Sequence, residues 1–269
     1  MKRDQLKDLN RIMIKIGTNS IMKSTSQIDY RKLDRLAYVV SSLMQQGKEL
    51  MIVSSGAVGV GASILGLDEY PKEIPEQQAL AAVGQSELMG HYGRFFNYYG
   101  QTVAQMLLTR DVLEFPTSRE NAKNTLLELL AKKIVPIINE NDVVAVDEMN
   151  HRTRFGDNDN LSAMVAVVSE ADLLVIMSDV DGLYDSNPHS NPEARKLSHI
   201  TEINEEVMAM ASGKGSEFAT GGMQTKLTAA ERMLAADSAM MIVSAEDPSV
   251  LFDVFAGEDV GTLFAKGDA

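Results

Sequence analysis

Residues 50–57 read LMIVSSGA, an apolar run of four residues that ends in two serines and a glycine. A short apolar run without alternating polar residues is typical of a strand that is buried on both faces. Similar runs occur at residues 12–16, 103–108, 134–138, 172–177 and 239–243, and segments with helical periodicity separate them at residues 29–46, 77–99, 120–132, 161–168 and 223–235. This alternation predicts an α/β fold, in which a mostly parallel central sheet is sandwiched between helices.

The composition is that of a globular protein with a sizeable core. Hydrophobic residues make up 45% of the 269 residues and charged residues 23%. The formal net charge of −13 would repel a phosphate backbone, so we expect no nucleic acid partner. The chain has no cysteine, which excludes disulfides, thiolate metal sites and a cysteine nucleophile. No apolar run reaches about 18 residues and the N-terminus lacks an apolar signal segment, so we expect a cytoplasmic protein without membrane association.

Polar, glycine-rich segments follow several of the predicted strands. Residues 16–19 read IGTN, residues 54–59 read SSGAVG and residues 139–142 read NEND. Ligands of open α/β sheets bind beyond the carboxyl ends of the strands. Glycine, serine and asparagine also favour ordinary turns, so one such loop decides little. Several of them at successive strand ends indicate a binding site.

Two lysines stand in unusual positions. Lys15 lies in an apolar run, so it either points to solvent from an edge strand or faces an anion at the strand's end. Lys226 closes the segment TGGMQTK at residues 220–226, just where a helix is predicted to begin. Paired glycines at a helix start let backbone N–H groups approach a phosphate, and a lysine there opposes the helix dipole unless it has an anionic partner. The alternative is a glycine-rich turn before a surface lysine; the P-loop spacing is absent.

Two further segments are rich in acids and amides. GDNDN at residues 156–160 opens a predicted helix and holds more polar residues than capping requires, but it does not match a calcium-binding loop. Asp159 could orient a catalytic lysine, and Asn158 could donate to a substrate carboxylate. SDVDGLYD at residues 178–185 follows a strand and contains either turn residues or part of a nucleotide pocket. The four histidines lack ligand spacing, so no metal site is predicted.

Seven segments together resemble the glutamate 5-kinases, a group within the amino-acid kinase family. They are KIGT at 15–18, VSSGAV at 53–58, AVGQ at 82–85, QMLL at 105–108, PIINEND at 136–142, GDNDN at 156–160 and TGGMQTK at 220–226. The resemblance runs from Lys15 to about Phe264, and NEND and GDNDN are its most specific parts. It implies an αβα sandwich over residues 1–269, with an N-terminal substrate-binding lobe of about 1–170 and a C-terminal nucleotide-binding lobe of about 171–269. It also implies a short form without the C-terminal PUA domain, since the chain ends at Ala269.

The activity implied by the resemblance is ATP-dependent phosphorylation of the γ-carboxylate of L-glutamate to γ-glutamyl phosphate, the first step of proline biosynthesis. Mg²⁺ would accompany ATP, and a homo-oligomer (dimer or tetramer) and feedback inhibition by proline are further expectations. The alternatives are a kinase for another acceptor, such as an aspartate, acetylglutamate or uridylate kinase, and a non-catalytic nucleotide- or amino-acid-binding regulator.

The resemblance also implies a role for each motif residue. Lys15 and Lys226 would contact the phosphates, and Asp159 would orient both lysines. The residues that would bind glutamate are Ser55, Asp142 and Asn158, with Asn139 as a weaker candidate. The residues that would bind ATP are Lys15, Ser178, Asp179, Thr220, Gly221, Gly222, Met223, Gln224, Thr225 and Lys226. A carboxylate acceptor is already ionised at neutral pH, so its attack on phosphorus needs no general base.

Overall fold

The structure, a computed structural model, describes residues 1–25, 27–145, 158–188, 190–211 and 222–267. Parts of two motifs singled out in the sequence, residues 156–157 and 220–221, lie outside these ranges. In chain order the elements are β1 (Arg11–Ile16), β2 (Met22–Ser24), β3 (Gln27–Ile28), α1 (Tyr30–Gln45), β4 (Glu49–Val53), α2 (Ala57–Leu65), α3 (Ile74–Tyr98), β5 (Val103–Leu108), α4 (Arg110–Glu114), α5 (Pro116–Ala131), β6 (Val135–Glu140), α6 (Asn158–Val168), β7 (Leu173–Ser178), β8 (His199–Ile200), α7 (Glu205–Ala211), α8 (Gly222–Ala235), β9 (Ala239–Ser244), α9 (Val250–Ala256) and β10 (Thr262–Phe264).

An eight-stranded sheet forms the centre of the fold. Its spatial order is β5-β6-β4-β1-β7-β9-β10-β8. The strands from β5 to β9 pair in parallel, whereas β10 runs antiparallel to β9 and β8 runs parallel to β10. The mostly parallel sheet predicted from the sequence is therefore confirmed, and the two short strands at one edge are additions that the sequence pattern did not indicate.

Strand β1 lies in the middle of the sheet, where the strand order reverses. From β1 the chain first builds the side that contains β4, β5 and β6, and then crosses to the side that contains β7 and β9. Lys15 is in register with Val53 on one side and with Ile176 on the other, so the polar segments after these strands share one edge. Such a reversal point is where an open α/β sheet binds its ligands.

Helices cover both faces of the sheet, because successive side chains of each strand point to opposite faces. Ile12 and Ile14 belong to a buried cluster with residues of α1, α3 and α9. Met13 belongs to a second buried cluster with residues of α5, α6 and α8. Within the described ranges, no helix combines the length and the apolar character that crossing a bilayer requires. Lys15 is two residues after Met13, so its side chain lies on the same face of the sheet and points to helices α6 and α8.

Helices α2 and α3 approach each other more closely than side chains would permit. A Cβ atom at Gly84 would lie 1.8 Å from the carbonyl oxygen of Ala57, and one at Gly61 would lie 2.1 Å from that of Leu80. Glycine at both positions is thus required by the backbone contact. The close contact fixes the first half of α3 against α2, which begins shortly after β4. Residues 54–59, expected to form a loop, instead enter α2 at Ala57.

Candidate functional site

Asp159 lies between two lysines that come from distant parts of the chain. The Nζ atom of Lys15, near the end of β1, is 2.7 Å from Oδ1 of Asp159. The Nζ atom of Lys226, near the start of α8, is 3.1 Å from Oδ2 of the same carboxylate. All three side chains are almost shielded from solvent, with exposed fractions of 8%, 11% and 4% for Lys15, Lys226 and Asp159. The structure therefore brings together the three residues that the sequence singled out as a catalytic set.

The buried position of Lys15 decides between the two interpretations of this residue. Because β1 is a central strand, Lys15 cannot point to solvent from an edge, and that alternative is wrong. The side chain of Lys226 is also buried, so the alternative of a surface lysine is wrong as well. Buried lysines need a charged partner, and both find it in the first turn of α6. This helix begins at Asn158, three residues before the predicted start at Leu161.

The charge state of Asp159 follows from its neighbours. Burial alone would raise the pKa of its carboxyl group, but the charges of Lys15 and Lys226 and hydrogen bonds from Lys15 and Thr225 outweigh burial and hold that pKa below its ordinary value. The hydroxyl of Thr225 donates to Oδ2 at 2.9 Å. Two ammonium groups against one carboxylate leave the centre with a local excess of positive charge. An otherwise acidic protein can thus attract anions at this point.

Asn158 connects the end of β4 with the end of β6. Its side-chain nitrogen lies 2.7 Å from the carbonyl oxygen of Ser54, 2.9 Å from the hydroxyl of Ser55 and 3.1 Å from Oδ1 of Asn139. The amide has two hydrogens for these three acceptors, so they share its donor capacity. Three of the four residues predicted to bind substrate, Ser55, Asn139 and Asn158, therefore form one buried network beside Asp159.

Two residues that were assigned no role from the sequence extend this network. Gln85, on α3, accepts a hydrogen bond from the side-chain nitrogen of Asn139 at 2.7 Å. The side chain of Tyr92 is fully buried, and its hydroxyl oxygen lies 2.9 Å from the hydroxyl oxygen of Ser54. Burial raises the pKa of this phenol. A signal for Gln85 existed, since it ends the AVGQ segment, and a polar side chain on a buried helix face needs a partner. Tyr92 gave no such signal among its aromatic neighbours.

A cavity of about 300 Å³ lies next to Gln85. Helix α3 contributes Gln85 and Ser86 to its wall, and β5 contributes Gln105 and Leu107. The end of β6 and the segment that follows it contribute residues 140–143. Asp142, the fourth residue predicted to bind substrate, is part of this wall. The volume is at the lower end for ligand sites and suits a small polar metabolite. Gln85 thus lies between the cavity and the buried network around Asn158.

The residues predicted to bind ATP lie at the other side of β1, as far as they are described. Ser178 ends β7, the neighbour of β1, and its hydroxyl donates to Oδ1 of Asp179 at 2.9 Å. Gly222 begins α8, and its carbonyl oxygen accepts a hydrogen bond from Lys226 at 3.0 Å. Thr220 and Gly221 lie outside the described residues. In the part of the chain that is described, no group of three acidic or histidine side chains could hold a metal ion.

Known sequences resemble this chain over nearly its whole length. The profile of the Amino acid kinase family matches residues 10–244. Glutamate 5-kinase from Enterococcus faecalis is 51% identical over 265 residues, which cover 98% of this chain and 98% of the relative. Glutamate 5-kinase from Ligilactobacillus salivarius is 49% identical over 266 residues, which cover 99% of this chain and 100% of the relative.

Solved structures share the fold at much lower identity. Carbamate kinase from Giardia lamblia bound to AMP-PNP matches with a TM-score of 0.69 and 15% identity, covering 97% of this chain and 100% of the other. UMP kinase from Bacillus anthracis matches with a TM-score of 0.63 and 17% identity, covering 97% of each chain. Likeness at this level shows the fold alone. From the profile match and the full-length identity to the two relatives, the chain belongs to the amino acid kinase family and, within it, to the glutamate 5-kinases.

Proposed function

We propose that the protein transfers the γ-phosphoryl group of ATP to the γ-carboxylate of L-glutamate, giving γ-glutamyl phosphate and ADP as the first step of proline biosynthesis. The observation that carries the proposal is the buried arrangement in which Asp159 holds Lys15 and Lys226 where the strand order reverses. Relatives about half identical to this chain over their whole length are named glutamate 5-kinases, which supports glutamate as the acceptor.

The chemistry requires two anions to meet. The acceptor carboxylate is ionised at neutral pH and attacks phosphorus without a general base. Lys15 and Lys226 offset the negative charge of the two reactants and of the phosphoryl group in transfer. Asp159 fixes both ammonium groups before the substrates bind, so that little reorganisation is needed during the reaction. Because the pKa of Asp159 is lowered, this carboxylate stays ionised and acts by positioning the lysines.

ATP would lie between the end of β7 and the start of α8. Ser178 and Asp179 would bind it on one side and residues 222–226 on the other; Thr220 and Gly221, which belong to the same proposal, lie outside the described residues. The backbone N–H groups at the start of α8 favour a phosphate there. Mg²⁺ would enter with ATP and be held by phosphate oxygens and water, since no described cluster of acidic side chains offers it a site.

Glutamate would lie on the side of β4 and β6. Asp142, in the cavity wall, suits the α-ammonium group, and Ser55 accepts a hydrogen bond from Asn158, the residue next to Asp159. The amide hydrogens of Asn158 are engaged with protein acceptors, so a substrate carboxylate would share or displace one of them. Asn139 would act through Asn158 and Gln85, which it links.

The strand order supports a division of labour between two lobes. Strands β1 and β4 to β6 form one half of the sheet, and β7 to β10 form the other. We assign substrate binding to the first lobe, residues of about 1–170, and nucleotide binding to the second, of about 171–269. A cytoplasmic location, a homo-oligomer (dimer or tetramer) and inhibition by proline belong to the same proposal.

A panel of acceptors tests the proposed function. ADP release is measured with L-glutamate, and with L-aspartate, N-acetyl-L-glutamate and UMP as alternative acceptors at equal concentration. The proposal expects turnover with L-glutamate to exceed that with every other acceptor. Faster turnover with L-aspartate or UMP would indicate another kinase of the family. Intact ATP binding without turnover of any acceptor would indicate a non-catalytic regulator.

A further inference from the structure

The orientation of the Gln85 amide is fixed by Asn139, which a backbone N–H group orients in turn. The backbone N–H of Glu140 donates to the side-chain oxygen of Asn139 at 2.9 Å, so this oxygen cannot be exchanged with the nitrogen. The side-chain nitrogen of Asn139 must then face Gln85, which receives it with its oxygen at 2.7 Å. The –NH₂ group of Gln85 is therefore the end that faces away from Asn139.

This –NH₂ group has no protein acceptor among the described residues. Gln85 has an exposed fraction of only 9%. Its oxygen is bound to Asn139, and among the described residues its nitrogen donates to no acceptor. Gln85 lines the cavity of about 300 Å³, whereas Asn139 does not. A donor that faces a cavity and has no protein partner is available to a ligand there, so this nitrogen is a group that a ligand in the cavity could bind.

The chemistry of the cavity defines the ligand group. Glu140 and Asp142 in its wall are acidic, so they suit a cationic group such as an α-ammonium. A carboxylate bound next to these acids needs a hydrogen-bond donor, because it would otherwise meet only negative charge. The amide of Gln85 supplies such a donor. An amino acid whose γ-carboxylate points to the lysines would place its α-carboxylate in this part of the site.

We propose that Gln85 is a specificity-determining residue, whose –NH₂ group donates a hydrogen bond to the α-carboxylate of the acceptor. The inference rests on the proposed function and names a contact for one end of the glutamate molecule. Gln85 also explains why Asn139 is buried without lining the cavity: Asn139 holds the glutamine amide in the orientation that presents its donor. The amide chain from Asn158 through Asn139 to Gln85 thereby couples the acceptor pocket to the helix that carries Asp159.

The test is Gln85→Glu, because this change keeps an oxygen for Asn139 and replaces only the donor group. Kinetics are measured with L-glutamate and with L-isoglutamine, in which the α-carboxylate is a carboxamide and the γ-carboxylate is intact. We expect the KM for L-glutamate to rise about tenfold or more, as for loss of a hydrogen bond to a charged group, with the KM for ATP changed less than about twofold. The ratio of kcat/KM for L-glutamate to kcat/KM for L-isoglutamine should also fall by about tenfold or more, since the carboxamide of isoglutamine can donate to the new carboxylate.

Gln77→Glu is the matched control. Gln77 lies on the same helix, donates to the carbonyl oxygen of Pro71 at 2.7 Å and is not part of the cavity wall. It should leave both KM values unchanged.

Three outcomes would overturn the inference. An unchanged preference between the two acceptors in a folded Gln85→Glu variant overturns it directly. A lower melting temperature together with equal losses of kcat/KM for both acceptors also overturns it, since that result indicates only a structural role through Asn139. Wild-type protein that does not phosphorylate L-glutamate would instead overturn the proposed function, and this inference with it.

Discussion

The ammonium group of Lys15 and Oδ1 of Asp159 lie 2.7 Å apart at the reversal point of the sheet, nearly excluded from water. Moving two charges out of water costs several kcal/mol, and a well-packed apolar pair would often be as stable. Lysine in a central strand is therefore best explained by what the charge does for an anionic ligand. Lys226 pairs with the same carboxylate. Either lysine can therefore be removed while the other keeps Asp159 as its partner.

Removal of Lys226 should affect catalysis far more than folding. Lys226→Ala should lower kcat by about 10²-fold or more, since one electrostatic group at a transition state is typically worth about 3 kcal/mol. The fold should persist because Asp159 keeps Lys15 and Thr225 as partners. Lys132→Ala, which removes an exposed lysine paired with Glu128, is the control and should leave kcat unchanged. A folded Lys226→Ala variant with nearly normal kcat would show that the lysine is not used.

Substitution of Asp159 by asparagine should destabilise the protein in a pH-dependent manner. The native pKa of Asp159 lies below its unfolded value, so its stabilising effect is complete above a pH of about 4 and is lost as the pH falls through the native pKa. Asp159→Asn leaves Lys15 and Lys226 without a counter-charge, which should lower the free energy of unfolding at pH 7 by about 3 kcal/mol. Denaturant unfolding from pH 7 to pH 3 should show this difference shrinking below pH 4. A difference that stays constant over this range would contradict the account.

Much of the fold could be predicted because most strands are continuous apolar runs. Residues 12–16 and 239–243 each match an observed strand to within one residue at either end. Helix α2 was missed because Gly59 and Gly61 are poor helix formers. The contact with α3 explains Gly61, whereas a Cβ atom at Gly59 would meet the side chains of Met22 and Tyr70. The strands β8 and β10 were missed because two or three residues carry too little pattern to be recognised.

The candidate site could be predicted in part. Lys15 and Lys226 stood out because each is a lysine in a position where its charge is unfavourable. Asp159 stood out because its segment, residues 156–160, holds more polar residues than helix capping requires. Gln85 was assigned no role although it ends the AVGQ segment, because only its tertiary contact with Asn139 shows what its side chain does. Asn158 was expected to donate to the substrate, and its hydrogen bonds to three protein acceptors depend on the meeting of three distant segments.

The contact between α2 and α3 can be tested with two glycines of the same helix. Gly84→Ala should lower the melting temperature and the activity, because the added methyl group would meet the carbonyl oxygen of Ala57 and push α3 away from its place beside the site. Gly90→Ala is the matched control, since no atom lies within 4 Å of the added methyl group. It should raise the free energy of unfolding by up to about 1 kcal/mol, as alanine favours a helix. Equal effects of the two changes would contradict the close helix contact.

Proline should compete with glutamate in the kinase domain. Proline shares with glutamate an α-carboxylate and a cationic α-nitrogen, the two groups that a pocket built from Asp142 and its neighbours would bind. Competition raises the apparent KM for glutamate at fixed kcat. Initial rates over a grid of glutamate and proline concentrations test this expectation. Insensitivity to millimolar proline, or inhibition that saturating glutamate does not relieve, would rule out a shared pocket.

The most direct test of the account follows the acceptor oxygen. L-glutamate labelled with ¹⁸O in its γ-carboxylate is incubated with ATP, the protein and hydroxylamine, which traps an acyl phosphate as a hydroxamate and releases phosphate. If the γ-carboxylate attacks phosphorus, γ-glutamyl hydroxamate forms, and the released phosphate carries one labelled oxygen from the former carboxylate. Both products should fall together in Lys226→Ala. ADP formation without hydroxamate, or phosphate that carries no label, would contradict transfer to the γ-carboxylate of glutamate.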